Sequence, residues 1–512
     1  MSDRTPFVEP LPARPNLEMQ QKRAKELLRK LWAGDAEAIE RFRGLHPHPP
    51  QPGEAKLADA QLVIARGYGF RDWMAMKTKI ESLTKSPYER FVAAVKRGDV
   101  EATRQLLAQQ EEVRARVDEP IADHFDAPPV HLAKTNLPLL DVLLAHGANL
   151  NARTKWWAGG FGVLEWDCTA EQAKALIERG AVVDAWAAAH LGMLDRLREL
   201  LNAGPSLVNG RGGDGKAPLH CAVTPAIVDL LVDRGADLVM RDIDHESTPL
   251  QYRIDKPQVA RRLIERGAQA DIFAAVALGD ETLVRQCLAR DPACVTHRLG
   301  TPPWVTTQSK GGCIYNWTLG HDLSVLDVAL RKGHAAIHRL LLEHAPPRTR
   351  FCDALWRGDD GAARAELAKH PGLMGELTDD DKRMLPLAAW WHNPPAAKLM
   401  LEVGFDPHVT GVHNSTALDR AAFHGYADII AMLLQHDPHP PVAFKNEFGG
   451  TPLGCCVHAW AGGWSWDTGH PKDYPRSVEL LVQAGSTLDP TWLPTGSDEV
   501  DAFLRERLRA RM

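Results

Sequence analysis

Four stretches of this 512-residue chain have residue types and spacings that could do chemistry. The run Gly210-Arg211-Gly212-Gly213-Asp214-Gly215-Lys216 has the glycines and the lysine of a phosphate-cradling loop. However, Ala217 stands where such a loop needs a hydroxyl for Mg²⁺, and a helix rather than a strand precedes it. Cys455, Cys456, His458 and His470 gather soft ligands, but adjacent cysteines on a helix point about 100° apart and no Cys-x-x-Cys pair completes a tetrahedral zinc set. Gly463-Trp464-Ser465-Trp466-Asp467 begins like a nucleophile elbow, then lacks the final glycine and the strand-turn-helix setting that strains such a serine. Asp379, Asp380 and Asp381 read as a solvated loop after a helix end. Nowhere does a base stand with an orienting acid, so the expectation is a non-enzymatic protein with no catalytic residue, no cofactor and no metal.

Tryptophan is the more telling residue. Residues 153–166, 295–321 and 458–476 hold eight of the fifteen tryptophans, namely Trp156, Trp157, Trp166, Trp304, Trp317, Trp460, Trp464 and Trp466, set among glycines. Loops on a rigid scaffold concentrate binding residues, and tryptophan is enriched among interface residues worth about 2 kcal/mol or more. The candidate partner-binding residues are therefore Trp156, Trp157, Trp304, Tyr315, Trp317, Trp464 and Trp466. A second reading stays open: glycine-tryptophan loops can fold back over apolar helix surface where a repeat is shortened. Trp186, Trp356, Trp390 and Trp391 fall on helical stripes and read as core.

The elements that position these loops are short and repetitive. An apolar pair, two polar residues and a stop recur about a dozen times, as in Leu143-Leu144-Ala145-His146-Gly147 and Leu231-Val232-Asp233-Arg234-Gly235. Many stops fall 31 to 34 residues apart, the length of a helix-turn-helix with its connecting turn, and self-similarity at that period marks stacked repeats. In Ile227, Val228, Leu230 and Leu231 the apolar residues form one stripe of a short helix, with Asp229, Asp233 and Arg234 outside. Four segments, beginning near Phe91, Trp186, Ile272 and Phe351, share a small-residue helix, a Gly-Asp or similar break and a second helix. They divide the array into blocks of 79 to 94 residues, and Leu31-Trp32-Ala33-Gly34-Asp35 looks like a degenerate fifth copy.

The unit resembles the ankyrin repeat. Its openings read Ala217-Pro218-Leu219-His220, Thr248-Pro249-Leu250-Gln251, Thr416-Ala417-Leu418-Asp419 and Thr451-Pro452-Leu453-Gly454; its closings read Gly147-Ala148-Asn149, Gly180-Ala181, Gly235-Ala236-Asp237 and Gly267-Ala268. The resemblance covers roughly residues 88 to 489 and implies an all-α, ankyrin-type helical solenoid of about 11 to 12 units within residues 85–489. It also implies that His131 and His220 hold backbone at the turns, and that the first two insertions occupy the projecting finger-loop position while the third projects from the opposite edge. Similar helical leaders precede arrays in other bacterial ankyrin proteins. Here residues 1–16 are expected as a flexible tail, residues 17–84 as a helical cap over the first repeat, and residues 490–512 as the matching capping helix.

Composition bounds the partners. Net charge is -6, from 60 basic and 66 acidic residues with no long run of like charge, which disfavours nucleic acid. No apolar stretch approaches 18 residues and the first nineteen residues lack a signal-peptide core, so a soluble, cytoplasmic protein without a membrane partner is expected. The eight cysteines, with no CxxC spacing, read as reduced thiols. The function expected is a monomeric protein-interaction scaffold that binds a protein or peptide through its concave face and tryptophan-bearing fingers. The alternative is a small-molecule-binding or enzymatic protein in which the 295–321 insertion closes a pocket lined by Trp304, Tyr315, Trp317 and nearby histidines; elsewhere, His321, His413, His424 and His458 lie near finger or loop positions, within reach of a ligand.

Overall fold

The structure, a computed structural model, describes residues 7–12, 14–122, 125–165, 168–307, 312–462 and 469–509. Trp166, Trp464, Trp466 and the 463–467 serine run lie outside them. The chain divides into two compact units, Lys85–Ala345 and Met1–Thr84 with Pro346–Met512.

In the unit Lys85–Ala345 the apolar pairs form short paired helices: Pro87–Arg97 with Val100–Gln109, Ala185–His190 with Leu194–Ala203, Pro218–Cys221 with Pro225–Asp233, Pro249–Tyr252 with Pro257–Glu265, Ile272–Ala277 with Glu281–Arg290, and Val325–Arg331 with Ala335–His344. First helices touch first helices and second helices touch second helices, so no single pair buries its apolar face alone. One continuous core results, with Ile227, Val228, Leu231, Leu263 and Phe273 fully inside it.

The helix ends follow from local chemistry. Thr224 accepts the Ile227 N–H at 3.3 Å and Pro225 occupies the first turn, where its missing N–H has no partner to lose. In the Gly-Asp breaks the aspartate caps the following helix: Asp99, Asp280 and Asp359 accept from Ala102, Leu283 and Ala362, and Asp35 of the degenerate copy accepts from Ala38. Gly235 closes its unit at φ +88°, with open space where a side chain would stand. Gly235→Ala is therefore expected to cost about 1–2 kcal/mol from backbone strain alone. A lower urea midpoint without loss of helical circular dichroism would show it, and an unchanged midpoint would refute the strained closing turn.

The second unit opens with helices Leu17–Trp32, Ala36–Leu45, Leu57–Gly67 and Trp73–Thr84, packed around Leu28, Leu31, Phe42, Val63 and Met76. This leader meets the far end of the chain. Lys56 pairs with Asp498 at 2.5 Å, and Arg505 of helix Asp498–Arg509 donates to the Gly53 carbonyl while its guanidinium lies 4.0 Å from the Trp32 ring centre. Between them, Pro347–Trp356 with Asp360–Lys369, Met384–Trp390 with Pro394–Glu402, Ala417–His424 with Ala427–Gln435, and Pro452–Trp460 with Tyr474–Gln483 form further pairs. One local expectation is corrected: Asp379, Asp380 and Asp381 lie in the helix Asp379–Lys382, where Asp381 and Thr378 cap each other, because acidic side chains suit a first helical turn better than a loop.

Candidate functional site

The site builds up from four connections of the unit Lys85–Ala345, of which residues 154–161, 212–216, 242–247, and 304–307 with 312–317 are described. They are tied edge to edge by hydrogen bonds. Asp214 N–H donates to the Gly159 carbonyl at 3.2 Å, and the Asp214 carbonyl accepts from Ile243 and Asp244 at 2.9 and 3.2 Å. His245 Nδ1 donates to the Gly312 carbonyl at 2.9 Å, the Ser247 hydroxyl accepts from Ile314 N–H at 3.2 Å, and Glu246 accepts from Thr307 N–H at 3.0 Å. Glycine is needed for this close approach. A side chain at Gly159 would strike the Gly212 carbonyl, and one at Gly213 would enter the Phe161 ring.

Beneath the row lies a layer of paired charge. Glu165 is bound to Arg153 and accepts from Gly162 and Gly213 N–H at 3.0 and 3.2 Å, while Arg153 also reaches Asp184 at 3.0 Å. Burial pushes the Glu165 and Asp214 carboxyls above the ordinary carboxylate range, against the pull of Arg153 and Lys216 respectively. The Lys216 ammonium sits 3.2 Å from Asp214, and the Trp186 indole donates to the Lys216 carbonyl at 2.9 Å. Asp214, Asp244 and His245 bring possible metal-ligand atoms within 4.8 Å of one another. Lys216 already supplies that cluster with a cation.

The structure separates the candidate residues into tips and struts. Trp157 and Trp317 are 51% and 65% exposed, and Ile243 between them in the row is 39% exposed. Trp156 is half-buried, set edge-on to Phe125 at 4.8 Å. Trp304 is half-buried on the core, edge-on to Phe273 at 5.0 Å and 5.7 Å from the Tyr315 ring. Tyr315 corrects the sequence expectation. It is fully buried, because its hydroxyl donates to the Asp271 carboxylate at 2.9 and 3.0 Å, so it supports the insertion and presents no surface. Ile243 escaped notice in the sequence; its signal was an aliphatic residue between two aspartates in a turn.

The glycine run, Cys455 and the histidines His131, His220 and His413 have partners within the chain. In the glycine run every N–H from Gly212 to Lys216 has an acceptor, so none is left to cradle a phosphate. All eight cysteines are free thiols; Cys456 is fully buried and burial pushes its thiol up, while Cys455 accepts from Asn446 at 3.2 Å. His131 donates to the Ala152 carbonyl at 2.7 Å and His220 to the Ser247 carbonyl at 3.2 Å, the turn-holding place their position implies. His424 is buried, while His413 is exposed and bound to Glu447.

No helix among the described residues is long and apolar enough to cross a membrane. Residues 214–243, from one finger to the next, match the family model of the ankyrin repeat. Among solved structures, the chain is similar to one in the complex of the predatory endopeptidase Bd0816 from Bdellovibrio bacteriovorus with the immunity protein Bd3460. The likeness has 22% identity over 35% of this chain and 97% of that chain, with a TM-score of 0.23. The chain is all-α, with an ankyrin-like helical repeat fold and an ankyrin repeat at residues 214–243.

Proposed function

We propose that this chain is a non-enzymatic scaffold, an array of ankyrin-type units whose finger row binds a protein segment through Trp157, Ile243 and Trp317. The observation that supports the reading is the exposure of three large apolar side chains on loops that are themselves hydrogen-bonded into one row. Rings held on rigid supports lose little entropy on binding. Charge indicates the partner's character. Lys155, Arg211 and Arg241, on or beside these loops, are exposed, whereas Asp214, Asp242 and Asp244 are buried. An acidic segment with apolar side chains complements that face. Eight free thiols suit a reducing compartment such as the cytoplasm.

Peptides selected from a random display library on the wild-type chain are expected to be acidic and apolar. Trp157→Ala/Trp317→Ala should weaken them by about 2 kcal/mol, roughly thirtyfold in Kd. The thermal midpoint should hold, because more than half of each ring's residue already faces solvent. Selected peptides that bind the double variant as tightly as the wild type would remove the finger row from recognition.

A further inference from the structure

A cavity of about 280 Å³ lies between residues 303–306 and the neighbouring connections of the unit Lys85–Ala345. Pro303, Trp304 and Val305 give it an apolar wall, and Arg241, Gln269 and Arg290 line it with donors. Two acids also border it, and both are already occupied. Asp271 accepts from the Tyr315 hydroxyl, Gln251 at 2.9 Å and Ala274 N–H at 2.8 Å; Glu246 accepts from the Thr307 N–H at 3.0 Å and its hydroxyl at 2.5 Å. The guanidiniums keep spare capacity. Each has five N–H donors, yet Arg241 reaches the Glu246 carbonyl and Arg290 reaches the Ala270 carbonyl and the Cys287 sulfur, with no carboxylate partner among the described residues. The Trp304 indole N–H is buried with no acceptor among the described residues.

The charged capacity left unused around the cavity is that of the two guanidiniums, and what they lack is a group of negative charge. We propose that the cavity between residues 303–306 and Arg241 and Arg290 binds a small monocarboxylate whose apolar body lies against Trp304 and its neighbours. A guanidinium matches a carboxylate in a planar, two-pronged contact. A single negative charge fits better than a dianion, because Asp271 and Glu246 stand nearby. The carboxylate belongs either to a free organic acid or to the C-terminus of a polypeptide.

Calorimetric titration of the full chain separates these sources. The probes are 3-phenylpropionate, its uncharged amide and N-acetylglycyl-phenylalanine. The two carboxylates are expected to bind, with the amide weaker by about tenfold or more, since a hydrogen bond to a charged group is worth that factor. Arg241→Gln/Arg290→Gln should erase the difference between acid and amide. Tighter binding of the free acid assigns the site to a small molecule, and tighter binding of the dipeptide assigns it to a chain terminus. The proposal fails if acid and amide bind equally, if the double variant binds the acid unchanged, or if no probe gives heat at about 10 mM, where even a millimolar Kd would register. Should the double variant misfold, the acid-amide comparison on the wild type decides alone.

Discussion

Lys216→Met is expected to destabilise the unit Lys85–Ala345 by about 3–5 kcal/mol, and Asp214→Asn in the same chain to restore much of that loss. The lysine side chain is 20% exposed and the aspartate 13%, with 3.2 Å between nitrogen and oxygen. Removing the ammonium leaves a carboxylate out of water and close to Asp244. Two like charges in that setting cannot both stay ionised without cost. The effect should spread, because the Asp214 carbonyl receives the N–H groups of Ile243 and Asp244, and its own N–H joins the loop at Gly159. Asparagine isolates the charge from the shape. It keeps the size of the side chain and tolerates the φ of +58° that Asp214 adopts. Urea unfolding of wild type, both single variants and the double variant should give a coupling energy of about 2 kcal/mol or more. Simple additivity would show that the ion pair does not hold the fingers together.

The helix pairs were legible because their signals are local. A Leu-Leu pair before a left-handed glycine, or a proline one step after a capping threonine, needs nothing from the rest of the chain. The faces of the insertions were not legible, because they depend on partners distant in sequence. Trp156 and Trp157 are neighbours of one type, and they part company because Phe125, from another connection, receives the first ring. Tyr315 turns inward because Asp271, 44 residues earlier, takes its hydroxyl. Ile243 inverts the usual polarity of a turn. Asp242 is buried, where it accepts from the Ser247 N–H at 2.7 Å and the Tyr252 hydroxyl at 2.9 Å, and the isoleucine beside it is left outside.

Acid is expected to loosen the same row through His220. Its ring is fully buried, accepting the Ala217 N–H at Nδ1, 3.1 Å away, and donating from Nε2 to the Ser247 carbonyl. Burial pushes the imidazole down from 6.5 to about 3, and a proton on Nδ1 would also displace the Ala217 contact. Between those two values the unfolded chain holds a proton that the folded chain refuses. The stability contributed by the neutral ring is therefore complete above pH 6.5 and falls as the pH drops, by about 1.4 kcal/mol per unit. His424, pushed down by burial to about 4, adds the same sign in the other unit. A neighbouring repeat supplies the control. Gln251 occupies the corresponding place in Thr248-Pro249-Leu250-Gln251, accepting the Thr248 N–H at 2.8 Å through its side-chain oxygen. His220→Gln should keep the acceptor and donor while removing the titration. Urea midpoints between pH 7 and pH 5 should then fall less steeply than in the wild type, by close to one proton's worth of slope. An unchanged slope would mean that the buried imidazole takes up its proton without disturbing the turn, and that the acid sensitivity of this unit lies in its carboxylates.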